Sequence, residues 1–563
     1  MSPLRALRHF LTCHSTHALR APANALPTAV RSLLLPAAWA IWRTGVCGWP
    51  LLSALALGGA LAGPASGQSV DIPAPQAPSG RAQTDLPLEV IHTLRQAKVP
   101  PSALSVQITP LPDGTAAAKA WPRHLSHHAQ ASVNPASVMK LFTTYAGLSL
   151  LGPDHVWRNQ VYTDGPVRDG VLHGSLIVRG SGDPKLVVER LQDLLAQVRA
   201  AGVREVRGDI VLDRSVFDVR ERSEPFDDEP LRPYNVGPDG LLLNFKAVVY
   251  KFTPDTASGL VQVRFEPPLA GLSAPTQLPL SQAPCSDWRR QLQADFSQAQ
   301  QVRFAGRYPA SCGEREWPVA YPEPEAYAPR VMQALWLGAG GQLTGQVRYG
   351  TRPASAKLLL EAPSLPLSAI IQDINKFSNN VMAQQLYLTL SSELGAPGRL
   401  EASRLRLSQW WRQGFAGVDE PVLDNGSGLS RTERSTAQAL TALLQAAHAS
   451  PHARHFVDSL AIAGVDGTAA RLKDRSPQSP VIGNAWLKTG SLRDVASVAG
   501  YVQGQSGQRY TLVAVLHHPN AHQARAALDQ LLEWTVRDLD ASTASRRPPN
   551  TPERKTAQRS AAR

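Results

Sequence analysis

The 563 residues carry a formal charge of +12, and 43% of them are apolar; a chain this long exceeds one ordinary core and suggests roughly three to four domains. Five arginines without an acid in residues 1–68, and six basic residues against one Glu in 541–563, leave 69–540 at +2. The basicity therefore belongs to the two ends, which argues against a nucleic-acid-binding role for the folded part.

From Val46 to Val70 there is no charged residue, and LLSALALGGALA (51–62) follows an arginine-bearing segment and ends in Ala60-Leu61-Ala62. This is the pattern of a secretory signal peptide, with an apolar run too short to span a bilayer comfortably. We assign residues 1–67 to that leader and 68–86, rich in Pro, Gln and Ala, to a linker. A short helix is expected near 89–97 and a strand at 103–109. A helix is expected to start at Pro135, with Asn134 as its N-cap and Gly152-Pro153 as its stop.

Residues 156–337 change character. QVYTDG, GSLIVRGSGDP, VRGDIVLD and GLVQVRFEPP are short alternating strands set off by Gly, Pro and Asp, with one helix near 187–201, so the region reads as a β-rich insertion of two subdomains. Helical periodicity returns over 364–395 and 402–414. A hairpin then pairs 495–502 with 510–518, and an amphipathic helix at 522–539 closes an α+β fold. The tail 541–563 cannot bury a core and is expected to be disordered, its charges suited to loose contact with an anionic membrane surface. Cys13 and Cys47 lie in the leader, which leaves Cys285 and Cys312; two cysteines in an exported chain are expected to pair. No metal-ligand motif and no cofactor motif is present, and His127-His128 reads as a surface loop.

Three short motifs can carry chemistry. Ser137 and Lys140 stand three apart at a helix start, near unpaired backbone N–H groups, and a lysine kept neutral by burial and a second cation could accept the serine proton. In KFSNN (376–380), Ser378 and Asn380 could present a hydroxyl and an amide to one cleft. In WLKTGSL (486–492), a strand edge offers Lys488, Thr489, Gly490 and Ser491, and Gly490 permits close approach of a ligand backbone. Each motif alone is weak, since such spacings arise by chance.

Together, in the order SxxK, SxN, KTG, they resemble the motif set of the penicillin-recognising serine enzymes. The 241 residues from Ser137 to Ser378 and the 110 from Ser378 to Lys488 are similar to the penicillin-binding protein 4 type of D-alanyl-D-alanine carboxypeptidase/endopeptidase. So are NPASVMK, RGSGDP (179–184), YNVGPDGLLLN (234–244), INKFSNN (374–380), LDNGSGLSR (423–431), AGVDGT (463–468) and NAWLKTGSL (484–492), over roughly 85–540. Gln384 departs from the pattern, where the family often has a glutamate.

The resemblance implies a penicillin-binding/β-lactamase-like core, an antiparallel sheet flanked by helices, formed by 87–155 and 338–540 around the insertion. It implies Ser137 as acylated nucleophile, Lys140 as proton acceptor, Ser378 as proton relay, Asn380 as substrate ligand and Lys140 holder, and Lys488 with Thr489 as carboxylate receptor. The N–H groups of Ser137 and Ser491 would form the oxyanion hole. The implied activity is that of a periplasmic DD-peptidase acting on peptidoglycan stem peptides and cross-links and covalently inhibited by β-lactams. A non-catalytic β-lactam-sensing or cell-wall-binding module and a β-lactamase are the alternatives. Asp424 and Asp466 are read as cleft-shaping residues, and Trp410-Trp411 as packing.

Overall fold

The computed structural model describes residues 83–112, 123–219 and 225–540. The expected leader 1–67, residues 68–82 of the expected linker and the expected tail 541–563 lie outside the described residues. Among those described, no helix is long and apolar enough to cross a membrane.

A six-stranded antiparallel sheet organises the part of the chain outside the insertion. Its spatial order is Ala461–Ile462, Ala485–Leu492, Val495–Gln503, Arg509–His517, Leu104–Pro110 and Leu125–His127. The hairpin strands are apolar at nearly every position because both faces of the sheet are covered. Val513 and Val515 point into one cluster with helices Lys140–Leu151, Leu367–Phe377, Asn380–Ser392 and Ala437–Ala449. Leu512, Ala514 and Leu516 point into another with helices Leu88–Gln96 and Arg525–Val536. The period of two along the strand thus serves two cores, and the α+β class expected from the sequence is observed. Trp411 lies against Phe415 with ring centroids 4.0 Å apart, inside the first of these cores.

The intervening region has a core of its own. One sheet runs Val347–Tyr349, Ile210–Asp213, Leu176–Arg179, Arg158–Thr163 and Lys357–Pro363; a second runs Tyr308–Pro309, Gln277–Ser281, Leu260–Glu266, Ala247–Asp255 and Arg315–Ala320. Cys285 and Cys312 are joined by a disulfide beside the second. The sequence reading ended the insertion at 337, and the strands correct that boundary. Val347–Tyr349 pairs in parallel with Ile210–Asp213, and Lys357–Pro363 pairs with Arg158–Thr163, so the insertion's sheet closes at about residue 363. These two strands find their partners only across long sequence separations, and their residues mix exposed with half-buried positions without clean alternation, so local periodicity gave no sign of them.

The expected helix at 364–395 is two helices, Leu367–Phe377 and Asn380–Ser392, broken at Ser378. The helix expected from Pro135 also begins later, at Lys140, after a 3₁₀ turn over Ala136–Met139. Two ties outside the helix hold that turn. The Asn134 Oδ1 accepts from the Ala136 N–H at 2.9 Å, and the Ser497 hydroxyl donates to the Pro135 carbonyl at 2.7 Å.

Candidate active site

Ser137 lies in that 3₁₀ turn, half-exposed, and Lys140 is the first residue of the α-helix, fully buried. The Lys140 Nζ is 2.9 Å from Ser137 Oγ, 2.6 Å from Asn380 Oδ1 and within hydrogen-bond reach of the Ser427 carbonyl. Burial first, and the Lys488 charge second, hold the amine well below the usual lysine range, while Glu433 pulls the other way. A neutral amine has two N–H groups and one lone pair. Two of its three neighbours are carbonyl oxygens that can only accept, so they take the N–H groups and the lone pair faces the Ser137 hydroxyl. That arrangement can remove a proton from the serine.

Ser378 sits at the break between the two helices in the left-handed region, φ 61° and ψ 36°, a costly conformation for a residue with a Cβ. The break is held from both sides: Asn379 caps the second helix through Met382 N–H at 3.1 Å, and Asn380 donates from Nδ2 to the Tyr234 carbonyl at 3.1 Å. That last bond fixes the amide so that its oxygen, not its nitrogen, meets Lys140. It also brings the insertion's YNVGPDG segment against the helix Asn380–Ser392. Gln385 ties the same segment down, donating to the carbonyls of Gly182 and Asp239 and accepting from the Asp239 N–H.

Lys488 is fully buried on the strand Ala485–Leu492, with Nζ 2.9 Å from Ser378 Oγ and 2.7 Å from the Thr489 carbonyl. Burial pushes its amine down to about 7. The strand passes so close to the turn of Ser137 that only glycine fits at 490. A Cβ there would stand 2.2 Å from Ser497 Oγ, 2.7 Å from the Pro135 carbonyl oxygen and 3.1 Å from Ser137 N. Thr489 is half-buried with its hydroxyl 2.8 Å from that of Thr468, and Ser491 is exposed at the strand's outer end. Ser137, Lys140, Ser378, Asn380, Lys488 and the Thr489–Ser491 edge therefore converge on one place.

The D-Ala-D-Ala carboxypeptidase 3 (S13) family model matches residues 94–537. The chain belongs to this family. Membership makes it a serine-type D-Ala-D-Ala carboxypeptidase. The D-alanyl-D-alanine carboxypeptidase of Actinomadura sp. (strain R39) is 30% identical over 407 residues, spanning 66% of this chain and 71% of the relative. The D-alanyl-D-alanine carboxypeptidase DacB of Haemophilus influenzae is 26% identical over 400 residues, 68% of this chain and 80% of the relative. A crystal structure of penicillin binding protein 4 from Haemophilus influenzae has a TM-score of 0.62 at 22% identity, covering 79% of this chain and 99% of that one. A second, complexed with a β-lactam, has a TM-score of 0.59. These two structures share the fold.

Within this S13 chain, several site groups escaped the sequence reading. The Ser427 carbonyl and the Tyr234 carbonyl are backbone groups, invisible to a search for reactive side chains. DNGSG (424–428) looks like an ordinary tight turn, yet it is pressed onto the turn that carries Ser137: a Cβ at Gly428, where φ is +79°, would stand 2.1 Å from the Ala136 carbonyl oxygen. Gln384 is buried, with Nε2 3.3 Å from Ser427 Oγ, so the residue that departs from the family pattern supports the same loop. Asp466 pairs with Lys376 at 2.6 Å and accepts from the Ile462 N–H, a structural role in the loop under Thr468. Asp424 helps line a cavity of about 480 Å³ together with Asp227, Asp228, Leu429, Ser430 and Arg431.

Proposed function

We propose that this carboxypeptidase is exported to the periplasm and removes the terminal D-alanine of peptidoglycan stem peptides through an acyl-enzyme on Ser137. Lys140 takes the Ser137 proton. The oxygen then attacks the penultimate D-alanyl carbonyl, the N–H groups of Ser137 and Ser491 receive the oxyanion, and Ser378 passes a proton to the departing amine. Lys488 beside Thr489 meets the terminal carboxylate. Water admitted to the acyl-enzyme completes the hydrolysis. The observation that carries the reading is the buried Lys140 amine, held by two carbonyl oxygens with its third direction on Ser137 Oγ.

A D-alanyl cross-link in place of a free terminus is the second substrate of this reading: the cavity lined by Asp227, Asp228, Leu429 and Arg431 begins one residue beyond Gly428, which packs against the Ala136 carbonyl beside Ser137. Endopeptidase activity is therefore part of the proposal, as is covalent inhibition by penicillins, whose strained amide would acylate Ser137 without rapid release. Mass spectrometry of muropeptides after incubation with the purified protein tests it. Pentapeptides should lose one alanine and cross-linked dimers should become monomers, both absent with Ser137→Ala. Alanine release by Ser137→Ala would overturn the assignment of the nucleophile.

A further inference from the structure

Glu433 is fully buried at the end of the loop that faces the nucleophile. Its Oε1 accepts from the N–H groups of Asp424 and Asn425, both at 3.1 Å, and of Gly426 at 2.8 Å, while Oε2 accepts from the Gly428 N–H at 2.8 Å. Four backbone donors converging on one carboxylate form a concave nest that gathers the DNGSG chain around it. Gly426 and Gly428 supply the positive φ that such a nest needs, +71° and +79°. The Ser427 carbonyl, carried between these two glycines, points out of the nest and accepts from Lys140.

We propose that Glu433 is a positioning residue for the Ser137–Lys140 pair: its carboxylate shapes the loop that presents the Ser427 carbonyl, and its charge favours the ammonium that Lys140 becomes on taking the serine proton. This rests on the acyl-enzyme reading above. The proton balance is simple: the Ser137 O–H bond breaks, an N–H bond forms on Lys140, and the negative charge passes to the attacking oxygen. Lys488 opposes the new ammonium and Glu433 supports it, so the two together set the window in which Lys140 both accepts and later returns the proton. Other charged or titratable groups around Glu433 include Asp424 on the loop, Arg434, whose Nη1 donates to the Glu433 carbonyl at 2.8 Å, Tyr387 from the helix Asn380–Ser392, and Arg404 from the helix Leu400–Gly414, which lies 3.7 Å from the Asp424 carboxylate; burial raises the Glu433 carboxyl, and the loop N–H groups oppose that rise.

The test is the pH profile of acylation by a fluorescent penicillin in full-length protein carrying Glu433→Gln or Glu433→Asp. Losing the charge lowers the proton affinity of Lys140, so the acidic limb of the Gln variant should move to lower pH by about one unit. The Asp variant keeps the charge but withdraws the carboxylate from the nest. Its limb should stay near the wild-type position while the maximal rate falls about tenfold. If the Gln variant does not fold, the Asp variant alone decides: a wild-type rate overturns the positioning role. An unshifted limb in a folded Gln variant overturns the charge role. Ser137→Ala, run beside them, separates the two readings. Labelling of that variant refutes the nucleophile and this proposal with it, whereas an unlabelled Ser137→Ala with wild-type Glu433 variants refutes Glu433 alone.

Discussion

Replacing Gly490 by alanine adds one carbon where the structure has no room for it. The new Cβ would lie 2.2 Å from Ser497 Oγ and 2.7 Å from the Pro135 carbonyl oxygen. Both atoms belong to one hydrogen bond, Ser497 Oγ donating to Pro135 O at 2.7 Å, so the serine cannot turn away without releasing the turn that carries Ser137. Relieving these contacts to ordinary van der Waals distance requires a shift of about 1 Å between the strand and the turn. Overpacking of this kind costs about 1–3 kcal/mol of stability. A misplacement of about 1 Å in a catalytic constellation costs about 100-fold in rate. The assay is the second-order rate of acylation by a fluorescent penicillin, with folding checked by circular dichroism. We expect Gly490→Ala to acylate about 100-fold more slowly while still melting cooperatively. Gly338→Ala, at a helix end with no atom near the added Cβ, serves as control and should acylate normally. A Gly490→Ala protein within about threefold of wild type would refute the close packing of strand against nucleophile as a requirement.

Further expectations follow from the buried lysine and the disulfide. Lys488 releases its proton near pH 7 in the fold and near 10.5 when unfolded, so between those values the unfolded chain binds more protons and stability rises with pH; below about 7 the penalty is present in full. Lys488→Met should therefore flatten this rise and melt a few degrees above wild type near pH 6, while losing carboxypeptidase activity; calorimetry showing a lower melting temperature at every pH would contradict it. Removing the Cys285–Cys312 bridge, which spans 27 positions, by a double change to serine should cost about 3.5 kcal/mol by the loop-entropy relation. The loss should appear in thermal unfolding, with the penicillin acylation rate at low temperature unchanged because the bridge lies in the insertion; a changed rate would place the insertion's second sheet in control of the site.

The side chains of the proposed site were readable because their chemistry depends on residue type and order; Lys140 lies within hydrogen-bond reach of Ser137 and Asn380, and Lys488 of Ser378. The apolar strands 495–503 and 509–517 were readable for the same local reason, their runs of Val, Ala and Leu. What the sequence concealed is non-local. The strand Val347–Tyr349 belongs to the insertion only through its pairing with Ile210–Asp213, more than a hundred positions earlier. Glu433 looks like any acid in a polar stretch, LSRTERST, and becomes a buried carboxyl held by four backbone N–H groups only when the loop folds back on it. The backbone carbonyls of Ser427 and Tyr234 carry no side-chain signal at all. Even the start of the helix that follows Ser137 was misplaced, since Asn134 and Pro135 lead into a first turn that is 3₁₀ and bound to Ser497 on a distant strand.

The proposed chemistry turns most directly on whether Ser137 is the group acylated. Treating the purified protein with benzylpenicillin at neutral pH, digesting it and locating the adduct by tandem mass spectrometry answers this in one measurement. The penicilloyl group should reside on the serine of NPASVMK, Ser137, at close to one per chain, and it should disappear in Ser137→Ala. An adduct on Ser378 or elsewhere, or none in protein that folds, would contradict it.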